Sequence, residues 1–486
     1  MILPIIFVAL LAGIVGGSYL TNPFNRFTIV RRPFVVATAL GTLQAINENH
    51  KLRVRQAYPW KVFVILKNFV HILSSRYVKS PRSSAKTVDG IIAGIHAHRF
   101  DPAKLLLISG DHFSSLFVRN LGVFYYPMLD TRIESTDRDW HNRQTVYIQT
   151  LAYALGVYKQ YPIPTTTVTS TGAYRATCTN IYAYPPDTVY SLLHALAALN
   201  GKESAAPARY GTPHHTLDTV PATKLLLDEY TDTLRALYEH YRATVFDPST
   251  GLIRRGLHLS GAKDITRRDC SFYDNVVFWK TTALAMDQGL IPADKAFLAT
   301  LKKRILKTFW LEEPGHFLED LSEEGVARGY YSSEWLIVLI TGFLDPADKN
   351  EQPYFARSVA YIQKQGIDQP FPLKYHHDTR SHRQFFAVRI AVASYGGDAI
   401  WSFWGMEYIK TLLLLHTYTG DRAYLRTADQ HINSYEQNML RYGGFPEVYD
   451  PQGNLLQTPL YRSIRQTGWV IGFEQVRAMR QAMRSK

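Results

Sequence analysis

Residues 409–435 read IKTLLLLHTYTGDRAYLRTADQHINSY, and this stretch decides the fold. Ile409, Leu412, Leu413 and His416 recur at the spacing that puts side chains on one face of an α-helix. Gly420 supplies the residue type at which helices commonly end, and Asp421 is a favoured N-cap for a following helix. Beyond it Leu425, Ala428, Ile432 and Tyr435 form a second apolar stripe. Two such helices joined through Thr419, Gly420 and Asp421 make an αα-hairpin.

The same periodicity recurs through most of the chain after Pro33. It predicts further helices over residues 35–47, 114–129, 145–161, 187–199, 222–245, 275–288, 293–309, 333–339, 353–364 and 467–483. With the terminal pair this makes about twelve, and six hairpins pack naturally as a ring: an all-α, (α/α)6 toroid. Residues 162–186 are rich in Thr, Tyr and Pro, which break helices, and predict a long loop or small hairpin. Long ordered loops in compact domains are often functional.

Composition sets the class. Hydrophobic residues make up 46% of the chain and charged residues 20%, the profile of a globular protein with a sizeable core. The net charge of +13 is spread, with no Lys/Arg run beyond Lys51, Arg53 and Arg55 and the group around Lys79, Arg82 and Lys86. That excludes a nucleic-acid arm as the main reading and leaves acidic lipid as a minor one. Neither a dinucleotide cradle, a Walker loop nor a GxSxG elbow occurs, so no nucleotide cofactor is expected. Cys178 and Cys270 are too few for a disulfide framework. His214 and His215, and His376, His377 and His382, lack the HExxH spacing of a helical zinc site, so no metal is expected.

Residues 2–20 are apolar and uncharged, about the length needed to cross a bilayer. No Lys or Arg precedes them, which favours a transmembrane anchor over a secretory signal. Arg26, Arg31 and Arg32 follow, and the positive-inside rule then keeps the body on the cytoplasmic side. The predicted organisation is an anchor over 1–21, a linker with first helices over 22–110, and a catalytic toroid over 111–486.

Three segments concentrate carboxylates, arginines and aromatics, the inventory needed to hold a sugar and protonate its glycosidic oxygen. The first runs Ser109-Gly110-Asp111-His112-Phe113 and on to Arg119. The second runs from His258 through Ser260, Gly261, Ala262, Lys263 and Asp264 to Arg267, Arg268, Asp269, Asp274 and Asn275. The third runs Gly443-Gly444-Phe445-Pro446-Glu447 and on to Gly468 and Trp469.

The second and third segments resemble signature stretches of inverting six-hairpin (α/α)6 glycosidases, the trehalase, α-glucosidase and neutral-invertase kind. The resemblance implies Asp264 as general acid, with Asp269 the alternative, and Glu447 as general base. It implies sugar contacts from Asp111, Arg119, Arg267, Arg268, Asp269 and Asn275. The chain departs from the pattern at Ala262 and Lys263, where the family has a Trp and an earlier Asp.

Physical chemistry fits this assignment. Inverting hydrolysis needs one carboxyl kept protonated and one ionised, about 6.5–9.5 Å apart. Trp401, Trp404 and Trp469 would stack on pyranose faces or seal the core. Each residue also has an ordinary use: Asp264 as a helix cap, Asp111 as a turn residue, Glu447 as a loop hydrogen-bond acceptor. The expected partner is therefore a carbohydrate, bound without cofactor. Two other functions share the fold: a glycan- or partner-binding toroid without catalysis, and a polysaccharide lyase using Tyr273 or His258 as base.

Overall fold

The computed structural model describes residues 28–31, 34–38, 42–46, 82–100, 115–129, 137–172, 175–179, 184–199, 220–257, 259, 261–263, 266–384 and 386–484. The hairpin expected over residues 409–435 is present. Ser402–Thr419 ends at Gly420 with φ of 74°, and the Asp421 carboxylate accepts from the Ala423 amide at 2.8 Å to start Arg422–Tyr442.

Burial sorts the helices into two rings. Asp187–Leu199 and Ile337–Thr341 are buried at every position, as is Ser402–Thr419 through Leu415, so they lie inside. Lys295–Phe309, Gln352–Lys364 and Arg422–Tyr442 bury only one stripe and lie outside.

The inner ring closes through successive contacts. Asp187–Leu199 packs on Phe272–Asp287, and that helix on Ile337–Thr341. The 3-10 turn Ser333–Leu336 meets Ser402–Thr419, which packs on Val470–Arg484. Val470–Arg484 then meets the 3-10 turn Tyr126–Leu129, and the turn Val118–Leu121 returns to Asp187–Leu199. Five inner positions are thus led by helices and the sixth is filled by two short turns. Outside, Val220–Val245 backs Asp187–Leu199, Lys295–Phe309 backs Phe272–Asp287, and Val88–Arg99 lies against Arg422–Tyr442.

Two expectations need correction. Residues 35–47 are not helical: Phe34–Thr38 and Thr42–Ile46 pair as antiparallel strands, which suits the β-branched Val35, Val36, Thr38, Thr42 and Ile46. Residues 114–129 are not one helix either, but the strand Ser115–Phe117 followed by the two 3-10 turns. Gly122 explains the break, since a Cβ there would sit 2.5 Å from the Ser191 Cα of the adjoining inner helix.

Residues 162–186 do contain a hairpin, Thr167–Gly172 with Arg175–Thr179. It is the centre of a four-stranded antiparallel sheet completed by Thr28–Arg31 and Ser115–Phe117, so the ring is not purely α. Among the described residues no helix is long and apolar enough to cross a membrane; the apolar segment 2–20 lies outside the described residues.

Candidate functional site

The first turns of the inner elements are stitched to one another in sequence around one mouth. Tyr273 donates its hydroxyl proton to Asp187 Oδ2 at 3.0 Å, joining the starts of the first two inner helices. Arg268, just ahead of the second, ion-pairs with Glu334 in the next inner element. The Ser333 amide donates to the Tyr375 carbonyl at 3.1 Å, and the Tyr375 ring lies 5.1 Å from Trp401. Trp401 lies 5.9 Å from Trp469, and Trp469 lies 5.1 Å from Phe124, which returns to the 3-10 segment. The longer inner helices point their N-termini, which carry partial positive charge, toward this end of the ring.

Arg119 is buried at the mouth. Its Nη1 donates to the Gly261 carbonyl at 2.6 Å, and its guanidinium lies 5.0 Å from the Phe117 ring centre. Gly261 is wedged: an added Cβ would meet Arg268 Nη2 and Asp274 Oδ1, each at 2.9 Å. Glu447 is 3% exposed. Its amide donates to Ile464 O at 3.0 Å and its carbonyl accepts from the Ser402 amide at 3.1 Å, fixing it where the short strands Ile400–Trp401 and Val448–Tyr449 pair. Burial, with the Glu447 carboxylate alongside, pushes the Tyr461 hydroxyl well above its ordinary value.

Of the other expected site residues, Asp269 and Asn275 bond to their neighbours. Asp269 accepts from Arg255 Nε at 3.0 Å and the Gly256 amide at 2.6 Å, on the flank rather than in the mouth. Asn275 is buried but uses its amide on backbone, accepting from the Ile253 amide at 2.9 Å and donating to Ser271 O at 2.7 Å. Arg267 is exposed. Trp401 and Trp469 line the mouth with their indoles mostly buried; Trp401 Nε1 donates to Tyr395 O at 2.8 Å. Tyr273 is held by Asp187 and lifted well above its ordinary value by burial, which disfavours it as a base. Asp111, Asp264 and His258 lie outside the described residues.

The larger surprise is a buried charge cluster that sequence reading did not assemble. Lys263 Nζ donates to Glu319 Oε1 at 3.0 Å and to His376 Nε2, and lies 4.7 Å from the Tyr375 ring centre. Glu319 Oε2 accepts from Arg383 Nη1 at 2.8 Å, and Arg383 also pairs with Asp320. His376 Nδ1 lies 2.5 Å from Tyr331 O, so it donates there and leaves Nε2 to accept. Lys263, which departs from the family pattern, is therefore an internal tie.

Electrostatics differ across these groups. Burial raises the Glu334 carboxyl above its ordinary value, opposed by Arg268 and Lys263. Its Oε1 and Asp274 Oδ1 are buried with no hydrogen-bond partner among the described residues. Burial lowers Lys263 to about 8. Burial also works to raise Glu319, but Lys263, Arg383 and Arg380 overcome it and hold the carboxylate well below its usual range.

His316 and His376 set a pH dependence. Burial lowers His316 to about 4 and His376 well below its ordinary value. Both are neutral in the folded chain, whereas the unfolded chain protonates them near 6.5. Below that pH the unfolded state binds more protons, so stability falls as pH drops, by about 1.4 kcal/mol per pH unit for each histidine. Urea midpoints should decline from pH 6.5 toward pH 4, and His316→Gln and His376→Gln should each flatten the decline. An unchanged slope in both variants would remove these residues as its source.

No protein-family model matches the chain, and no curated protein matches it in sequence. Solved structures match in fold. Cellobiose 2-epimerase from Spirochaeta thermophila aligns at TM-score 0.50 and 12% identity, covering 85% of this chain and 98% of that one. Rhamnosidase from Klebsiella oxytoca aligns at TM-score 0.46 and 14% identity over 83% of this chain and 66% of that one. GH63 mannosylglycerate hydrolase from Thermus thermophilus aligns at TM-score 0.47 and 10% identity over 79% and 98% respectively.

Proposed function

We propose, from the six-hairpin (α/α)6 toroid fold that this chain carries, that it is an enzyme acting on a carbohydrate at the mouth of the ring. The reaction we assign is inverting hydrolysis of a glycosidic bond, with Glu447 as base and Asp264 as acid. What supports this reading is that Arg119, Arg268, Glu334, Trp401, Trp469 and Glu447 are all buried at or beside the starts of the inner elements. Arginines and buried carboxylates bind hydroxyls, and indole faces bind pyranose rings.

Glu447 would take a proton from the attacking water, and Asp264 would give one to the leaving oxygen. An activated aryl glycoside or glycosyl fluoride needs little protonation. Asp264→Asn should therefore lose far more activity on a natural glycoside than on an activated one, by about two orders of magnitude. Selective rescue in Asp269→Asn instead would reverse the assignment.

A second reading, epimerisation or isomerisation of a reducing sugar, is favoured by Glu334. Its raised carboxyl and unpartnered Oε1 suit proton transfer at the carbon beside a carbonyl. One experiment separates the readings: incubate the protein with trehalose, sucrose, maltose, cellobiose and mannobiose, and follow products by proton NMR. New reducing ends support hydrolysis, and an altered ring at constant chain length supports epimerisation. Binding without either product would leave a sugar-binding toroid.

A further inference from the structure

Arg82 and Arg465 lie beside the glycines that lead into Glu447, and Arg462 precedes Arg465 by one turn of chain on the same segment. Arg82 lies across the C-terminal end of Arg422–Tyr442, its Nη2 donating to the Arg441 carbonyl at 2.8 Å. Its Cβ is 3.3 Å from a Cβ built on Gly443, and the Arg465 Cβ is 3.2 Å from one built on Gly444. The two arginines therefore flank this Gly pair, which leads into Glu447.

The segment that carries Arg462 and Arg465 is rigidly held. Ile464 O accepts from the Glu447 amide at 3.0 Å, Ser463 Oγ from the Val448 amide at 3.0 Å, and Gln466 O from Arg99 Nε at 2.8 Å. Tyr461, next to Arg462, lies alongside the Glu447 carboxylate.

Among the described residues no carboxylate pairs with Arg82, Arg462 or Arg465, although arginine pairs are frequent elsewhere in the ring. The Nε atoms of Arg462 and Arg465 are buried without a hydrogen-bond partner. Burial, then Arg462 and Arg82, depress the Arg465 guanidinium. Three like charges held together by backbone repel, and an oxyanion among them relieves that repulsion while accepting several charged hydrogen bonds.

We propose that Arg82, Arg462 and Arg465 form a subsite for an oxyanion borne by the sugar substrate, a carboxylate, sulfate or phosphate ester. This rests on the carbohydrate reading above, and it narrows the substrate class to acidic saccharides. Guanidinium forks match the paired oxygens of all three groups.

Calorimetry tests it with four probes on the full chain: inorganic phosphate, glucose, glucuronate and glucose 6-phosphate. The acidic sugars should bind more tightly than glucose, with an affinity that falls as salt rises. Arg462→Gln/Arg465→Gln should weaken the acidic sugars about a hundredfold, about tenfold for each arginine, and leave glucose unchanged. Arg462→Lys/Arg465→Lys keeps the charge and should recover part of the loss; both variants should retain the thermal midpoint of the parent. Equal affinity for glucose and the acidic sugars, or acidic-sugar binding insensitive to the Gln variant, would overturn the subsite. Phosphate binding that is lost in the Gln variant while acidic sugars behave like glucose would overturn its sugar-borne form. Absence of turnover with tight, arginine-dependent binding of acidic sugars would sink the hydrolase reading and leave the subsite standing.

Discussion

Glu447→Gln is expected to lower turnover by about two to four orders of magnitude, while the thermal midpoint moves little. The substitution keeps the size of the side chain, but removes the oxygen able to take a proton from water. The backbone bonds to Ile464 and Ser402 do not depend on the side chain, so the loop should hold its shape. Steady-state rates on the substrate found by product screening, beside a thermal melt, are the measurement. Near-parent turnover would remove Glu447 from the chemistry. A collapse of the melt would instead make it a structural residue of the strand pair at Trp401 and Val448.

The second large effect concerns stability. Arg268→Leu should destabilise the fold by about 3–5 kcal/mol, because it leaves the Glu334 carboxylate buried without its ion-pair partner. The loss should shrink toward acid pH: Glu334 is already raised, and losing a cation raises it further, so it takes up a proton and the buried charge disappears. Arg268→Leu/Glu334→Leu should regain much of the stability, since a buried pair replaced by apolar groups is often near neutral. Denaturant unfolding of the parent and the two variants at pH 7 and pH 5 gives the comparison. A single variant as stable as the parent would show that the pair contributes nothing to folding.

The sequence carries the helical ring because its signals are local. Apolar stripes such as Leu425, Ala428, Ile432 and Tyr435, with the Gly420 stop and Asp421 cap, need no distant partner to be read, and all appear in the structure. The segment 114–129 misleads because Val118, Leu121, Phe124 and Tyr125 have helical spacing, while the reason against a helix, Gly122 pressed on Ser191, is a tertiary contact. The strands at 34–46 were open to reading from their β-branched residues, which propensity favours over the weak periodicity. Glu447 stands out through its Gly-Gly setting. Glu319, Glu334 and Arg383 do not, because each is an ordinary charged residue until the ring brings Glu319 to Lys263 and Arg383, and Glu334 to Arg268; His376 stands out only as one of a histidine group, with no sign of its tie to Lys263. Lys263, noted in the sequence only as a departure from the family pattern, reads in isolation as a surface charge.

The sixth inner position, filled by 3-10 turns from near the start of the described chain, has a consequence for how the molecule is made. Its neighbours on one side come from the last helix, and Arg477 reaches back 388 residues to Asp89 while Arg99 reaches forward 367 residues to Gln466. Loop closure over such separations is slow, and in a chain made N-terminus first it cannot begin before Val470–Arg484 has emerged. Throughout synthesis Leu116, Val118, Leu121 and Val123 wait without the Val470–Arg484 end of the wall that finally covers this position. A nascent ring is thus an open arc with an apolar edge, the kind of surface that holding chaperones bind, until the final helix is released and closes it.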